Sequence, residues 1–268
     1  MFLLTVKNSI TTTIISIMRI IAFTNQKGGV GKTTTTINTG AGLSKLGYKV
    51  LLVDMDPQAN LTFSLKLHSN RIDENVYHLL KGSASVKDII MEHNAFDILP
   101  SSIELSAADM ELVNIPAREM LLKDALKEVE GDYDFVLIDC PPNLGVLTLN
   151  AFTAADELII VLQSEYLALH GLSKLMDVIQ VVQQRLNKDL KVEGILCTLY
   201  DNRKNLNREV VGHIRDYFGS KVFNTVIRDN VALAEAPSHH KTIFEYDSES
   251  NGAKDYMTFA KEIRNGHA

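Results

Sequence analysis

One stretch, IIAFTNQKGGVGKTTTTINTGAGL at residues 20–43, limits what this chain can fold into more than any other. It runs from an apolar, strand-like segment through a glycine-rich turn into a helical segment. Gly28, Gly29 and Gly31 let the backbone curl closely around phosphate oxygens, since no side chain blocks the approach. The free amides from Lys27 through Val30 to Thr34, together with the positive end of the following helix, favour negative charge. Lys32 is placed to reach the β- and γ-phosphates of a nucleotide, and the Thr33 hydroxyl to ligate Mg²⁺. A glycine turn before an ordinary helix would need none of GKTT at this junction.

The rest of the chain repeats the same alternation. Strands are expected at Ile20 to Thr24, Lys49 to Asp54, Phe96 to Leu99, Phe135 to Asp139, Leu158 to Gln163 and Gly194 to Leu199. They are near-continuous Val/Ile/Leu runs, the pattern of strands covered on both faces. Helical stretches lie between them, among them Thr33 to Leu46, Arg118 to Glu128, Leu172 to Leu186 and Asn207 to Phe218. This order predicts an α/β fold: one mostly parallel, twisted sheet with right-handed crossovers and helices on both faces. With 46% hydrophobic and 22% charged residues in a chain of 268, there is ample core for a globular domain. No linker-like composition divides residues 19–268, so they are expected to form one domain. Residues 1–18, MFLLTVKNSITTTIISIM, are too short and too polar for a membrane span, and they lack a basic start and a small-residue cleavage site. They are expected to be a loose, disordered extension or a start-site artefact, with Met18 as the natural first residue.

Acidic residues fall where such a sheet presents its ligands. KVLLVDMDPQAN puts Asp54 and Asp56 at the C-terminal end of the second strand, and YDFVLIDCPP puts Asp139 at the end of another. Asp139 is expected to hold Mg²⁺ directly or through water. A lone aspartate after a strand is often only a turn former, and for Asp54 that reading stays open. Two cysteines, Cys140 and Cys197, are too few for a metal cluster or a disulfide framework. Both fit small core residues.

KGGVGKTT departs from the general phosphate-loop pattern: Gln26 stands at the first glycine position and Lys27 directly precedes the glycine pair. It resembles the deviant Walker A motif of the ParA/MinD/nitrogenase-iron-protein group. VDMDPQ, IDCPP, NLGVLTLNAF, SEYLALHGLSKL, EGILCTLYDNRKNLNREV and VALAEAPS extend the likeness over Arg19 to Ile263, and together they resemble Soj-type partitioning ATPases. The resemblance implies a single-domain P-loop NTPase that binds ATP and Mg²⁺ and hydrolyses ATP slowly by itself. It implies that Lys27 reaches the partner's phosphates in an ATP-dependent homodimer, so that Lys27, Lys32 and Asp56 are the catalytic set. Asp56 would orient the attacking water and, with Thr33 and Asp139, serve the metal. It further implies non-specific DNA binding by the dimer, a ParB-like centromere-binding partner, and a cytoplasmic, nucleoid-associated protein.

A formal net charge of −6 excludes a surface that is basic all round, so DNA contact requires a local patch. Arg203, Lys204 and Arg208, with Arg215 and Lys221, supply candidates for salt-sensitive phosphate contacts. Glu209 and Asp216 are interspersed, which equally describes a solvated helix face. Where relatives carry V-I-P-R-N-V-R, this chain has VIRDNVA: Arg228 replaces the proline, and Asp229 and Ala232 replace the two arginines. Asn230 is kept and is the expected contact to the adenine edge. The alternative is a MinD-like membrane-associated positioning ATPase, which needs a basic amphipathic C-terminal helix. AKDYMTFAKEIRNGHA mixes acids with bases, so no stable membrane association is expected. A redox carrier would need paired cluster cysteines. Guanine recognition by N-K-x-D fails because Leu190 follows Asn187, Lys188 and Asp189.

Overall fold

Apolar side chains line both sides of nearly every strand, and this dictates a three-layer arrangement. The computed structural model describes residues 18–66, 74–165 and 171–266. The expected extension therefore lies outside the described residues except for Met18, as do residues 166–170 of the SEYLALHGLSKL stretch. The strands are β1 (Arg19–Thr24), β2 (Val50–Asp54), β3 (Met91–Glu92), β4 (Asp97–Leu99), β5 (Phe135–Asp139), β6 (Glu157–Gln163), β7 (Lys191–Tyr200) and β8 (Val222–Arg228). They form one sheet in the order β3-β4-β2-β5-β1-β6-β7-β8. Every neighbouring pair is parallel except β3 with β4.

Successive residues of a strand feed opposite cores, because side chains alternate across a sheet. On one face Ala22, Leu51, Val53, Val136, Ile138, Leu158 and Ile160 pack with side chains of the helices Val146–Ala154, Leu172–Arg185 and Asn205–Phe218. On the other, Ile21, Phe23, Leu52, Leu137, Ile159 and Val161 pack with α1 (Lys32–Lys45) and the C-terminal helix Asn251–Asn265. Both cores are sealed: Leu51 and Leu52 are each fully buried on opposite sides. Truncating either to alanine should destabilise the fold by about 2–5 kcal/mol.

Helix α1 holds the phosphate turn, yet its sequence KTTTTINTGAGLSK is rich in threonine and glycine, both poor helix formers. Tertiary burial supplies what propensity lacks. A Cβ at Gly40 would lie 2.7 Å from Leu52 Cδ2, and one at Gly42 would lie 2.8 Å from Ala260 Cβ. The glycines thus let α1 press its backbone against the sheet and the C-terminal helix. The Thr35 hydroxyl adds a buried hydrogen bond to Tyr256 Oη at 3.1 Å.

Two sequence expectations need correction. The helix expected over Arg118 to Glu128 spans only Leu121–Leu126, with a 3₁₀ turn after it. Ala117 adopts a left-handed φ of 54° and interrupts the chain just before it. β3 and β8 extend the sheet at its edges beyond the six strands expected, while the other strands lie within a few residues of their expected places.

Candidate functional site

All strands but β3 run in one direction, so the loops after β1, β2 and β5 converge on one edge of the sheet. β5 lies between β1 and β2, with Phe23 beside Asp139 and Asp139 beside Asp54 in register. Sheet order therefore brings the glycine turn and the two aspartate-bearing strand ends together, although they are spread over more than 100 residues of the chain.

The turn is built by its glycines and tied down on both flanks. Gly29 and Gly31 hold left-handed φ values of 75° and 89°, which only glycine adopts at low cost. Gly31 directly precedes α1, so the amides of Lys32, Thr33 and Thr34 are the free donors of its first turn. A Cβ added to Gly28, Gly29 or Gly31 would meet nothing within 4 Å, so the space above the turn is open. On one flank Asn25 Nδ2 donates to Val161 O at 2.7 Å and its Oδ1 accepts from the Lys27 amide at 2.9 Å. On the other, Thr198 Oγ1 donates to the carbonyl of buried Val30 at 2.7 Å.

The two lysines are held differently. Lys32 is buried, and its Nζ donates to Lys27 O at 3.3 Å. The exposed Lys27 Nζ turns toward β6, 2.9 Å from Glu165 Oε2 and 3.2 Å from Gln163 Oε1. Glu165 lies in a stretch whose family likeness is visible in the sequence, but only the fold brings it to Lys27.

The carboxylates divide by their partners. Both oxygens of Asp54 are occupied: Oδ1 accepts from the Asp56 amide at 3.2 Å, and Oδ2 from Thr62 Oγ1 at 2.7 Å and the Thr62 amide at 3.0 Å. Burial still pushes its pKa up to about 6. The alternative left open for Asp54 resolves toward a structural part: it fixes the loop that carries Asp56. Asp56 is nearly buried and its Oδ1 accepts from the Gln58 amide at 2.9 Å. Asp139 is different. It is fully buried, and among the described residues neither oxygen has a hydrogen-bond partner. Burial and the nearby Asp54 charge push its pKa well above the usual carboxylate range, partly offset by Thr33 and Lys32. The Thr33 hydroxyl acts here by proximity, without a hydrogen bond of normal geometry.

An unpaired buried carboxylate is costly, about 1–3 kcal/mol or more for a charged group, and is a ligand donor that a cation would satisfy. Among the described residues no group of three or more His, Cys, Asp or Glu could hold a metal ion alone. A divalent ion here would need phosphate oxygens to complete its shell, which the open turn beside it can deliver. The residues fit magnesium bound together with a nucleotide. Cys140, next to Asp139, is fully buried with its thiol pKa pushed up, as a core residue should be.

The remaining site candidates lie farther along the sheet. Asn230 follows β8 on the same edge, and its Oδ1 is buried with no partner among the described residues. The basic candidates are mostly engaged. Arg203 grips Asp201 through two contacts, at 2.9 and 3.0 Å, Lys204 lies 4.0 Å from the same carboxylate, and Arg208 donates to Asn205. Arg228, at the family's proline position, closes a two-pronged pair with Asp255 of the C-terminal helix at 2.6–3.2 Å.

A family model described as an AAA domain matches residues 18–192. The chain is 49% identical over 247 residues to the sporulation initiation inhibitor protein Soj of Bacillus subtilis (strain 168), covering 91% of this chain and 98% of that protein. It is 50% identical over 246 residues to the chromosome-partitioning ATPase Soj of Treponema pallidum (strain Nichols), covering 91% and 96%. Among solved structures, cobyrinic acid a,c-diamide synthase from Mycobacterium smegmatis, with bound ADP and magnesium, matches with a TM-score of 0.83 at 38% identity, covering 93% of this chain and 95% of that one.

Proposed function

This chain belongs to the Soj/ParA family of chromosome-partitioning ATPases, and from that premise we propose that it is a Mg²⁺-dependent ATPase that switches between monomer and DNA-bound dimer. The observation that carries this reading is Asp139: a buried, unpaired carboxylate between Asp54 and the glycine turn, with Lys32 and Thr33 nearby. Magnesium, when bound with the nucleotide, neutralises charge on the transferring phosphoryl group. Amides of Gly28 to Thr34 would cradle the phosphates, with Lys27 contributing its side chain, Lys32 would contact the β- and γ-oxygens, Thr33, Asp56 and Asp139 would serve the metal, and Asp56 would also orient the attacking water. Asn230 offers its free oxygen to the adenine amino group. Lys27 leaves Glu165 to contact the phosphates of a second copy, so full charge stabilisation exists only in the dimer. A ParB-like partner accelerates turnover on the nucleoid.

Calorimetry with ATP, with and without Mg²⁺, tests the core of this reading. Magnesium-dependent uptake is expected and should weaken severely in Asp139→Asn. Uptake indifferent to both metal and Asp139 would refute it. Hydrolysis with and without duplex DNA then tests the partitioning role, since turnover that never responds to DNA removes its support.

Against the membrane alternative stands the C-terminal helix. Its apolar face, Tyr256, Phe259, Ala260 and Ile263, is spent on the core beneath α1. A lipid-binding amphipathic helix needs that face free. Among the described residues no helix is long and apolar enough to cross a membrane. Vesicle co-sedimentation should leave the protein in the supernatant with or without ATP.

A further inference from the structure

We propose that Asp109 is a positioning residue for ATP hydrolysis, one that fixes the far end of the loop following Asp139. The inference rests on the ATPase reading of the same site. That loop, residues 140–145, leaves β5 beside the glycine turn, so its conformation decides what surrounds the metal-side carboxylate. Its near end is held by the sheet: the Cys140 amide donates to Phe23 O at 3.2 Å, and the Met55 amide to Asp139 O at 3.0 Å. Its far end enters the helix Val146–Ala154, which has Gly145 at its N-cap and no capping side chain of its own.

The cap comes instead from a distant part of the chain. Asp109, on the short helix Ala108–Glu111, accepts from the Val146 amide at 2.9 Å through Oδ1. An anion there satisfies a free helix donor and complements the helix dipole. Gly145 shows how closely the two fit. Its φ of −88° suits any residue, so the backbone does not require glycine. A Cβ at Gly145 would instead lie 2.7 Å from Asp109 Oδ1 and 2.9 Å from Oδ2. Glycine is present to admit the carboxylate. With Thr148 Oγ1 donating to Asn143 O at 2.5 Å, the loop is clamped at both ends and once near its middle.

The contact can be broken from either side, and this makes the test sharp. ATP hydrolysis by the full chain is measured for wild type, D109A, D109N, G145A and the D109A/G145A double variant, with the melting temperature of each. Removing the carboxylate should lower kcat about tenfold while KM for ATP stays within about twofold, because a loosened loop misplaces reacting groups without touching the phosphate cradle. D109N keeps an acceptor for the Val146 amide and should recover most of the rate. G145A should mimic D109A by displacing the carboxylate, and it should add nothing further in the D109A background, where the obstructing oxygens are gone. Losses that multiply in the double variant overturn the proposal, as does a D109A protein with a lowered melting temperature but unchanged kcat. A wild-type chain that hydrolyses no ATP would overturn the ATPase reading along with it, and is distinguished by that alone.

Discussion

Two regions of this molecule carry basic residues that suggest anion binding, the glycine turn around Lys27 and Lys32 and the segment from Asp201 to Arg228, and they are built in opposite ways. In the turn, Lys32 donates to a carbonyl at 3.3 Å, the space above the glycines is open, and among the described residues the neighbouring Asp139 has no hydrogen-bond partner. In the second region Arg203 and Arg228 each close on an aspartate of their own surroundings. The acids shift accordingly: Asp54 near the turn is pushed up to about 6 by burial, whereas the Arg203 guanidinium draws Asp201 down to about 2. A site made largely of backbone amides announces its ligand in the sequence, because glycines and helix start fix its shape. A side-chain patch does not, because its vacancy depends on which acids the fold places beside it.

The largest effect should come from the turn. Lys32→Ala removes a buried cation beside the turn, and the charge-assisted contacts it is proposed to make to phosphate are worth several kcal/mol together. ATP affinity measured by calorimetry should fall about 100-fold or more. A loss under fivefold would erase the contrast between the regions. Lys27→Ala is the next test. Its side chain is half exposed and paired with Glu165, so monomer affinity for ATP should change by no more than about threefold. Hydrolysis and the dimer seen by size-exclusion chromatography with a slowly hydrolysed analogue should both vanish, a rate loss on the order of 10³. An unchanged dimer peak would place Lys27 among ordinary surface lysines.

Legibility followed the same divide. The interior strands, and the placing of the turn, Asp56 and Asp139 at their ends, are readable because their signals are local: glycine spacing, apolar runs, an acid at a run's end. What escaped was relational. β8, at the sheet's far side, mixes buried and partly buried positions with the exposed Asn224, and the run VFNTVIR is too mixed to pass for a doubly covered strand. The C-terminal helix carries Tyr256, Phe259, Ala260 and Ile263 at helical spacing, yet the sequence reading weighs only its mixed charges, which argue against a membrane role, and misses the core face it supplies. The short helix at Leu121–Leu126 was overextended because nothing in the sequence flags Ala117 as left-handed. Asp54 could not be assigned without seeing Thr62 fold back onto it, and the pairing of Arg203 with Asp201 needed coordinates as well.

Acidity sharpens the comparison without mutating either patch. Asp54 binds its proton more tightly folded than unfolded, since its ordinary value is 3.8 and the folded value about 6. Its contribution to stability is therefore full below about pH 4 and is lost as the pH rises through about 6, a change of at most about 3 kcal/mol. Asp201 has the reverse sign: its contribution is present above pH 3.8 and is lost as the pH falls toward about 2. Melting curves of nucleotide-free protein from pH 4 to 7 should show a decline with pH that is shallower in Asp54→Asn. Identical slopes in the two proteins would mean the buried acid carries no such strain. A smaller effect belongs to the basic segment: the Arg203→Glu/Arg208→Glu double variant should bind duplex DNA on the order of tenfold more weakly with a reduced salt slope. Wild-type binding by that variant would make the segment a solvated face.

The finest test releases one arginine where it stands. In Asp201→Asn the acceptor for the Arg203 amide, now 3.0 Å away, is retained, and the Asp201 amide keeps its bond to Asn207 at 2.9 Å, so the turn should hold its shape. What disappears is the charge that grips the guanidinium, a solvent-screened surface pair that contributes little to stability. The Arg203 side chain is already 87% exposed, so the freed group can meet a phosphate without first being uncovered. DNA affinity in the presence of ATP should therefore rise about two- to fivefold, and the salt dependence should steepen by up to about one counterion. If both stay at their wild-type values while the double charge reversal still weakens binding, the arginine already leaves Asp201 when DNA arrives, and pairing in the free protein is not what separates this region from the glycine turn.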